Sequence, residues 1–168
     1  MSRTASMQEF AALPKPRLRV RYARIMNAIL CALLLMAGAF SERPAKTVEG
    51  PEAPARITRA TVLTPSEGPP VVLYAATNLT DRSLDTITVM AFVFKADGTL
   101  KARQTAPGRR NLDARETKYS TLVLDGSNLE PSDVVVIGIN QTQHVGSNEW
   151  WRADLQPAAE AAVPLKKP

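Results

Sequence analysis

Two pairs of adjacent residues have side chains suited to binding: Trp150 with Trp151, and Arg109 with Arg110. An exposed indole ring can stack on a sugar or pack against a partner protein. A pair of guanidinium groups can contact the anionic groups of a lipid, a polysaccharide or an acidic protein. These four residues are therefore the candidates for contact with a partner, and we leave open which of the two tryptophans is exposed.

Each pair also has a structural interpretation, which the sequence alone favours. Adjacent residues of a strand face opposite sides of a sheet, so one tryptophan would fill the core while residues 156–163 cover the other. Arg109 and Arg110 would then lie in a solvated loop whose charge is offset by neighbouring strands. The exposure of Trp150 and Trp151 separates the two interpretations.

Catalytic chemistry has little support in this sequence, which contains one histidine and one cysteine. His144 lies near Ser147, but a serine hydrolase also needs a nucleophile turn such as Gly-x-Ser-x-Gly and an anion hole, and neither motif is present. Cys31 lies within an apolar run and is interpreted as an apolar filler. We predict a protein that is not an enzyme and has no cofactor and no metal site.

The basic excess of the chain lies at its N terminus. Residues 1–40 contain six basic residues and one acidic residue, whereas residues 41–168 contain fifteen of each. A domain that binds nucleic acid needs a basic surface to meet the phosphates. The balanced charge of residues 41–168 therefore predicts no nucleic-acid partner.

Residues 1–40 have the pattern of an export signal. A basic stretch, 17–24, precedes sixteen uncharged residues, 25–40, which end with the small residues Ala37, Gly38 and Ala39. Sixteen residues form a helix of roughly 24 Å, shorter than the roughly 30 Å hydrocarbon core, which favours a cleaved signal over a permanent span. The alternatives are a start at Met7, or an uncleaved anchor that tethers the protein to the inner membrane. In each case we expect a periplasmic or extracytoplasmic protein.

The rest of the chain divides into a linker, a β-rich body and a tail. Residues 41–56 are rich in proline and charge and predict an extended spacer. Residues 57–155 contain short β-branched and apolar runs separated by turn clusters, which predicts an antiparallel, seven-stranded immunoglobulin-like sandwich. Residues 156–168 form an Ala- and Pro-rich tail with one or two helical turns. The predicted strands are 56–64, 71–77, 86–94, 100–105, 117–124, 134–140 and 149–155, with a loop over 106–116. Strand 86–94 is partly apolar on both faces, so we expect it to be central, with one face in the core and the other at least half covered.

A family resemblance extends over about residues 78–124. A strand ends in Asn78, an alternating strand runs through Phe92 to the turn at Asp97 and Gly98, and the segment 112–117 leads into Tyr119. This order resembles the small bacterial extracytoplasmic immunoglobulin-like modules of the FxLYD type. The resemblance implies a sandwich fold outside the cytoplasm and supplies no catalytic residues.

These observations predict a non-enzymatic interaction module of the cell envelope. It would dock an envelope protein through a sheet edge or through the region of Trp150 and Trp151, which requires an exposed apolar patch. The alternative is a carbohydrate-binding module, which requires an exposed tryptophan flanked by carboxylates and amides. Membrane contact would occur through the N-terminal segment if that segment is not cleaved.

Overall fold

The structure is a computed structural model that describes residues 40–163. Within these residues the chain forms nine strands and one short helix. In chain order the elements are β1 (Phe40–Pro44), β2 (Lys46–Val48), β3 (Ala55–Pro65), β4 (Val71–Asn78), β5 (Leu84–Phe94), β6 (Leu100–Leu112), β7 (Thr117–Val123), β8 (Val134–His144), β9 (Trp150–Arg152) and α1 (Gln156–Ala162).

The strands form two sheets. One has four strands in the order β1-β3-β4-β7, with all neighbours antiparallel. The other has five strands in the order β2-β8-β5-β6, with β9 paired to β8. Here every pair is antiparallel except β2, which runs parallel to β8. The predicted all-β architecture with antiparallel sheets is confirmed, and the strand count is corrected from seven to nine.

The two sheets enclose one apolar core, and β5 shows how the sequence builds it. Its alternate residues Ile87, Val89, Ala91 and Val93 are buried and face the four-stranded sheet. They pack with alternate residues of both sheets, including Val62, Val72, Tyr74, Leu122, Val135 and Ile137. Each large aliphatic side chain buried in this way contributes about 1.5–3 kcal/mol, which makes this core the main source of stability.

Helix α1 covers part of the other face of β5. Phe92 and Phe94 point away from the main core and pack with Leu155, Ala159 and Val163 in a second buried cluster. The Lys46 Nζ of β2 donates a hydrogen bond to the carbonyl of Ala162, 2.6 Å away, at the C-terminal end of the helix. The expectation that β5 is central and partly apolar on both faces is confirmed. Helix α1, in the described part of the tail, covers the apolar half of its outer face.

The segment predicted to be a spacer, 41–56, contributes β1 and β2 to the sheets, and this prediction is corrected. Backbone pairing at a sheet edge does not require apolar side chains, so the polar composition of the segment did not reveal these strands. Arg43 fixes the position of β1 because its Nη1 donates to the carbonyls of Glu130 (2.9 Å) and Pro131 (2.7 Å). The parallel pairing of β2 with β8 also departs from the purely antiparallel prediction.

Asn78, at the end of β4, joins two turns that are distant in sequence. Its side-chain Nδ2 donates to the carbonyls of Arg82 (2.8 Å), Leu112 (3.1 Å) and Asp113 (3.0 Å). Its Oδ1 accepts hydrogen bonds from the backbone N–H and the hydroxyl of Thr80 at 2.9 and 2.8 Å. The side chain therefore connects the turn after β4 to the turn between β6 and β7.

The predicted signal or anchor, 1–40, lies outside the described residues except for Phe40, where β1 begins. Among residues 40–163, none of the helical structure has the length and apolarity needed to span a membrane.

Candidate functional site

The two tryptophans of β9 face opposite sides of the five-stranded sheet. Trp151 pairs with the buried Thr142 and packs against the main core, and its Nε1 donates to the carbonyl of Pro51, 3.2 Å away. Trp150 points to the outer face, where 38% of its surface is exposed. The prediction that only one of them enters the core is confirmed, and the exposed one is Trp150.

Strand register places Trp150 in a row of polar residues across four strands. Trp150 pairs with Gln143 of β8, Gln143 with Thr86 of β5, and Thr86 with Arg110 of β6. Paired residues of a sheet share a face, so these four side chains lie on the outer face of the five-stranded sheet. Two of the predicted site residues, Trp150 and Arg110, thus lie on one surface although forty positions separate them in the sequence.

A second row runs beside the first. Arg152 pairs with Gln141, Gln141 with Thr88, and Thr88 with Pro107. The two rows together form a polar surface with one aromatic ring, which we call the Trp150 face: Trp150, Gln143, Thr86, Arg110, Arg152, Gln141, Thr88 and Pro107. Its side chains combine an aromatic ring, guanidinium groups, amides and hydroxyls.

A change of polarity along β5 explains where the Trp150 face ends. The residues of β5 on this side change from threonine at 86 and 88 to Met90, Phe92 and Phe94. Helix α1 packs on the apolar half, and the half that carries the two threonines stays accessible, with both partly exposed. A helix needs an apolar surface to dock, so the change from threonine to apolar residues along β5 determines how much of this sheet face α1 can cover.

The Trp150 face carries two arginines, and the neighbouring Asp85 carboxylate accepts a hydrogen bond from the Thr86 hydroxyl, 3.3 Å away. Arg152 Cζ lies 5.8 Å from the centroid of the Trp150 ring, within the range of a cation–π interaction. The four ion pairs formed within residues 40–163 involve neither Arg110 nor Arg152. Both arginines are exposed, and neither has a carboxylate partner in this part of the chain.

Arg109 and Arg110 have different surroundings, which corrects the prediction that they form one basic loop. Strand β6 continues to Leu112, so both arginines lie on a strand. Arg110 is on the Trp150 face, whereas the Nε of Arg109 donates to the carbonyl of Tyr119, 2.7 Å away on the edge strand β7. Arg109 thus supplies a hydrogen-bond donor to one unpaired carbonyl at the edge of β7. Gln104 does the same for a second one, because its Nε2 donates to the carbonyl of Val123 at 2.6 Å.

Two residues of the Trp150 face, Gln141 and Gln143, were not among the predicted site residues. The sequence places residues 141–148 in a polar loop, but β8 continues to His144. Gln141, Thr142 and Gln143 are all polar, so the sequence has no apolar alternation here that could have revealed the extension of β8. The Nε2 of Gln143 donates to the carbonyl of Ser147, 2.7 Å away, and so orients the loop that leads to β9.

His144 is at the end of β8 and pairs with Leu84. Its Nδ1 is buried and has no hydrogen-bond partner within residues 40–163. The Ser147 hydroxyl accepts the backbone N–H of Glu149 at 3.1 Å. No set of three or more His, Cys, Asp or Glu side chains in this part of the chain is arranged to hold a metal ion.

Comparisons with family models, curated proteins and solved structures find no match to this chain.

Proposed function

We propose that β3 to β9 form an immunoglobulin-like module of the FxLYD type that acts outside the cytoplasm. The order β3-β4-β7 in one sheet and β9-β8-β5-β6 in the other supports this assignment, because immunoglobulin-related sandwiches pair their strands in this way. The role of Asn78 in joining the turns that carry the resemblance supports it further. The extracytoplasmic setting, with a cleaved signal or a tether over residues 25–40, rests on the basic and apolar pattern of residues 17–40.

We propose that the protein is a non-enzymatic binding module of the cell envelope whose ligand is an acidic glycan. The observation that carries this proposal is the row Trp150, Gln143, Thr86 and Arg110 on the uncovered half of the five-stranded sheet. It supports the carbohydrate alternative over protein docking at the tryptophans, since the surroundings of Trp150 are polar rather than apolar.

Each side chain of the row suits one part of such a ligand. The exposed ring of Trp150 offers a flat apolar surface for the C–H face of a sugar. The amides of Gln141 and Gln143 and the hydroxyls of Thr86 and Thr88 can donate to and accept from sugar hydroxyls. Arg110 and Arg152 can pair with the carboxylate or sulfate groups of an acidic glycan, and Arg does so with two parallel hydrogen bonds.

The size of the row fits an extended ligand. Four neighbouring strands with a spacing of about 4.8 Å place Trp150 and Arg110 about 14 Å apart along the row. A chain of a few sugar units can therefore touch the ring at one end and the guanidinium group at the other. The surface is a sheet face and not a closed pocket, which suits a polymer better than a small molecule.

The experiment is isothermal titration of the full-length chain with an oligogalacturonate and with a neutral glucan oligosaccharide of equal length. We expect the oligogalacturonate to bind more tightly, and Trp150→Ala to weaken its binding by about 10- to 30-fold, since loss of an aromatic ring that stacks on a ligand typically costs about 1.5–2 kcal/mol. Tyr119→Ala removes an exposed aromatic ring from the other sheet and serves as the control, with unchanged affinity.

Arg110→Gln should lower the affinity for the acidic ligand and reduce its dependence on salt, because one charged contact is lost. Equal affinity for both oligosaccharides, or an affinity unaffected by Trp150→Ala, would overturn the proposal. Specific capture of an envelope protein through Trp150, without any affinity for glycans, would replace it with docking of that protein.

A further inference from the structure

The outer face of the four-stranded sheet carries exposed apolar side chains and is left uncovered by the described residues. Leu73, Tyr119 and Val123 point outwards from β4 and β7, with 39%, 66% and 39% of their surfaces exposed. Thr61 and Thr121 flank Leu73 in register, and Ala75 pairs with Tyr119. The outer face of the five-stranded sheet differs, because α1 covers its apolar half.

A groove of about 330 Å³ lies in the middle of this face. Its apolar wall consists of Leu63, Leu73, Ala75 and Tyr119. Glu42 of β1 and Arg59 of β3 also line it, and both are exposed. Neither takes part in the ion pairs formed within residues 40–163, so one carboxylate and one guanidinium group lie unpaired at an apolar surface.

We propose that this face binds a second copy of the same chain. A two-fold symmetric contact brings the same surface of each copy together, so that residue i meets residue j and residue j meets residue i. One groove that contains both Glu42 and Arg59 satisfies this rule, because a two-fold axis through it pairs each Glu42 with the Arg59 of the other copy. Tyr119 and Leu73 of each copy then pack on the apolar wall of the other.

The size of the face indicates a weak dimer. Four strands about 4.8 Å apart, with about six residues of about 3.3 Å each, give a surface of roughly 20 Å by 20 Å. Each copy would bury roughly 400 Å², about half the area of a standard-size interface, so we expect a weak dimer that dissociates at micromolar concentrations or above. Two such faces would stack as aligned sheets about 10 Å apart, like the two layers within one domain.

The dimer places both Trp150 faces outwards, since the two sheets of a sandwich have their outer faces on opposite sides. Each dimer would then present two glycan-binding surfaces and could link two polymer strands or hold one strand with higher avidity. Only this consequence rests on the proposed function, because the dimer itself depends on the other sheet alone.

The test is sedimentation velocity of the full-length chain over about 1 to 100 µM, which brackets the expected dissociation constant. We expect a reversible dimer whose association constant falls by about tenfold or more in Glu42→Arg and in Arg59→Glu, because each change places like charges opposite each other at both symmetric positions. The double variant Glu42→Arg with Arg59→Glu should restore association. Thermal unfolding of each variant confirms that it is folded.

Trp150→Ala is the control and should leave the dimer unchanged while it weakens glycan binding by about 10- to 30-fold. A folded Tyr119→Asp variant should be monomeric, bind a short oligogalacturonate normally and bind the polymer less tightly. A chain that stays monomeric at every concentration, or a dimer that survives both single charge reversals, would overturn the inference. Failure of the double variant to recover association would overturn it too, and none of these results bears on glycan binding by the Trp150 face.

Discussion

Replacing Asn78 tests whether one amide holds the two turns at the end of the sandwich together. The side chain is 1% exposed and makes five hydrogen bonds, three as donor to backbone carbonyls and two as acceptor from Thr80. In Asn78→Ala the buried carbonyl of Leu112 loses this donor, which costs about 1–3 kcal/mol, and each of the more exposed bonds adds about 0.5 kcal/mol. The expected destabilisation is about 3–5 kcal/mol.

The melting temperature measures this effect. For a domain of this size about 1 kcal/mol corresponds to about 3–5 °C, so Asn78→Ala should melt about 10–25 °C below the wild type in calorimetry. Asn128, exposed in the turn before β8, is the matched control, and Asn128→Ala should change stability by less than about 0.5 kcal/mol.

Asn78→Asp sharpens the test because it keeps the size and the acceptor oxygen but cannot donate to three carbonyls when ionised. Burial and the facing carbonyls raise the pKa of the new carboxyl in the folded state above its unfolded value of about 3.9. The loss of stability relative to the wild type should therefore be smallest below about pH 4 and grow as the pH rises. An alanine variant that melts within about 3 °C of the wild type, or an aspartate variant whose deficit does not depend on pH, would refute the reasoning.

Two further predictions concern a buried carboxylate and the helical cover. Burial raises the pKa of Asp133, but hydrogen bonds from the Lys101 ammonium (2.7 Å) and the Glu130 backbone N–H (2.9 Å) outweigh it and leave the pKa below its ordinary value. The stability that Asp133 contributes is therefore present above about pH 4 and is lost as the pH falls through its lower folded pKa. Urea titrations at several pH values measure this effect: below about pH 4 the free energy of unfolding of Asp133→Asn should depend less on pH than that of the wild type. Ala159→Glu, which puts a charge in the second buried cluster, should cost about 2–4 kcal/mol and speed hydrogen exchange in α1, whereas Ala161→Glu on the exposed side should do neither. Equal exchange rates in these two variants would show that α1 does not depend on that contact.

The sequence predicted the parts of the fold that depend on apolar alternation. Strand β5 is the clearest case, because both sets of alternating residues were assigned to faces, and one face proved to lie in the core while α1 covers the apolar half of the other. Strands β1 and β2 were missed, because they are held by backbone pairing and by the Arg43 side chain rather than by apolar burial.

The sequence identified single residues of the candidate site, but it did not show which of them share one surface. The types of Trp150, Arg109 and Arg110 marked them as able to bind, and alternation showed that only one tryptophan could be buried. The separation of Arg109 from Arg110 depends on the end of β6 and on the nearby edge of β7, which are not visible in the local sequence. Gln141 and Gln143 were missed because a polar run gave no sign that β8 continued through it.

The sequence by itself determined the β-rich character of the body, the position of its turns and the basic, uncharged and small-residue pattern of its first forty residues. Those properties follow from side-chain size, charge and alternation over a few neighbouring positions. Only the tertiary structure decided that Trp150 and Arg110 share one row and that Glu42 and Arg59 line one groove. Register between strands distant in sequence brings these residues together, and register is set by how the whole core packs rather than by any segment alone.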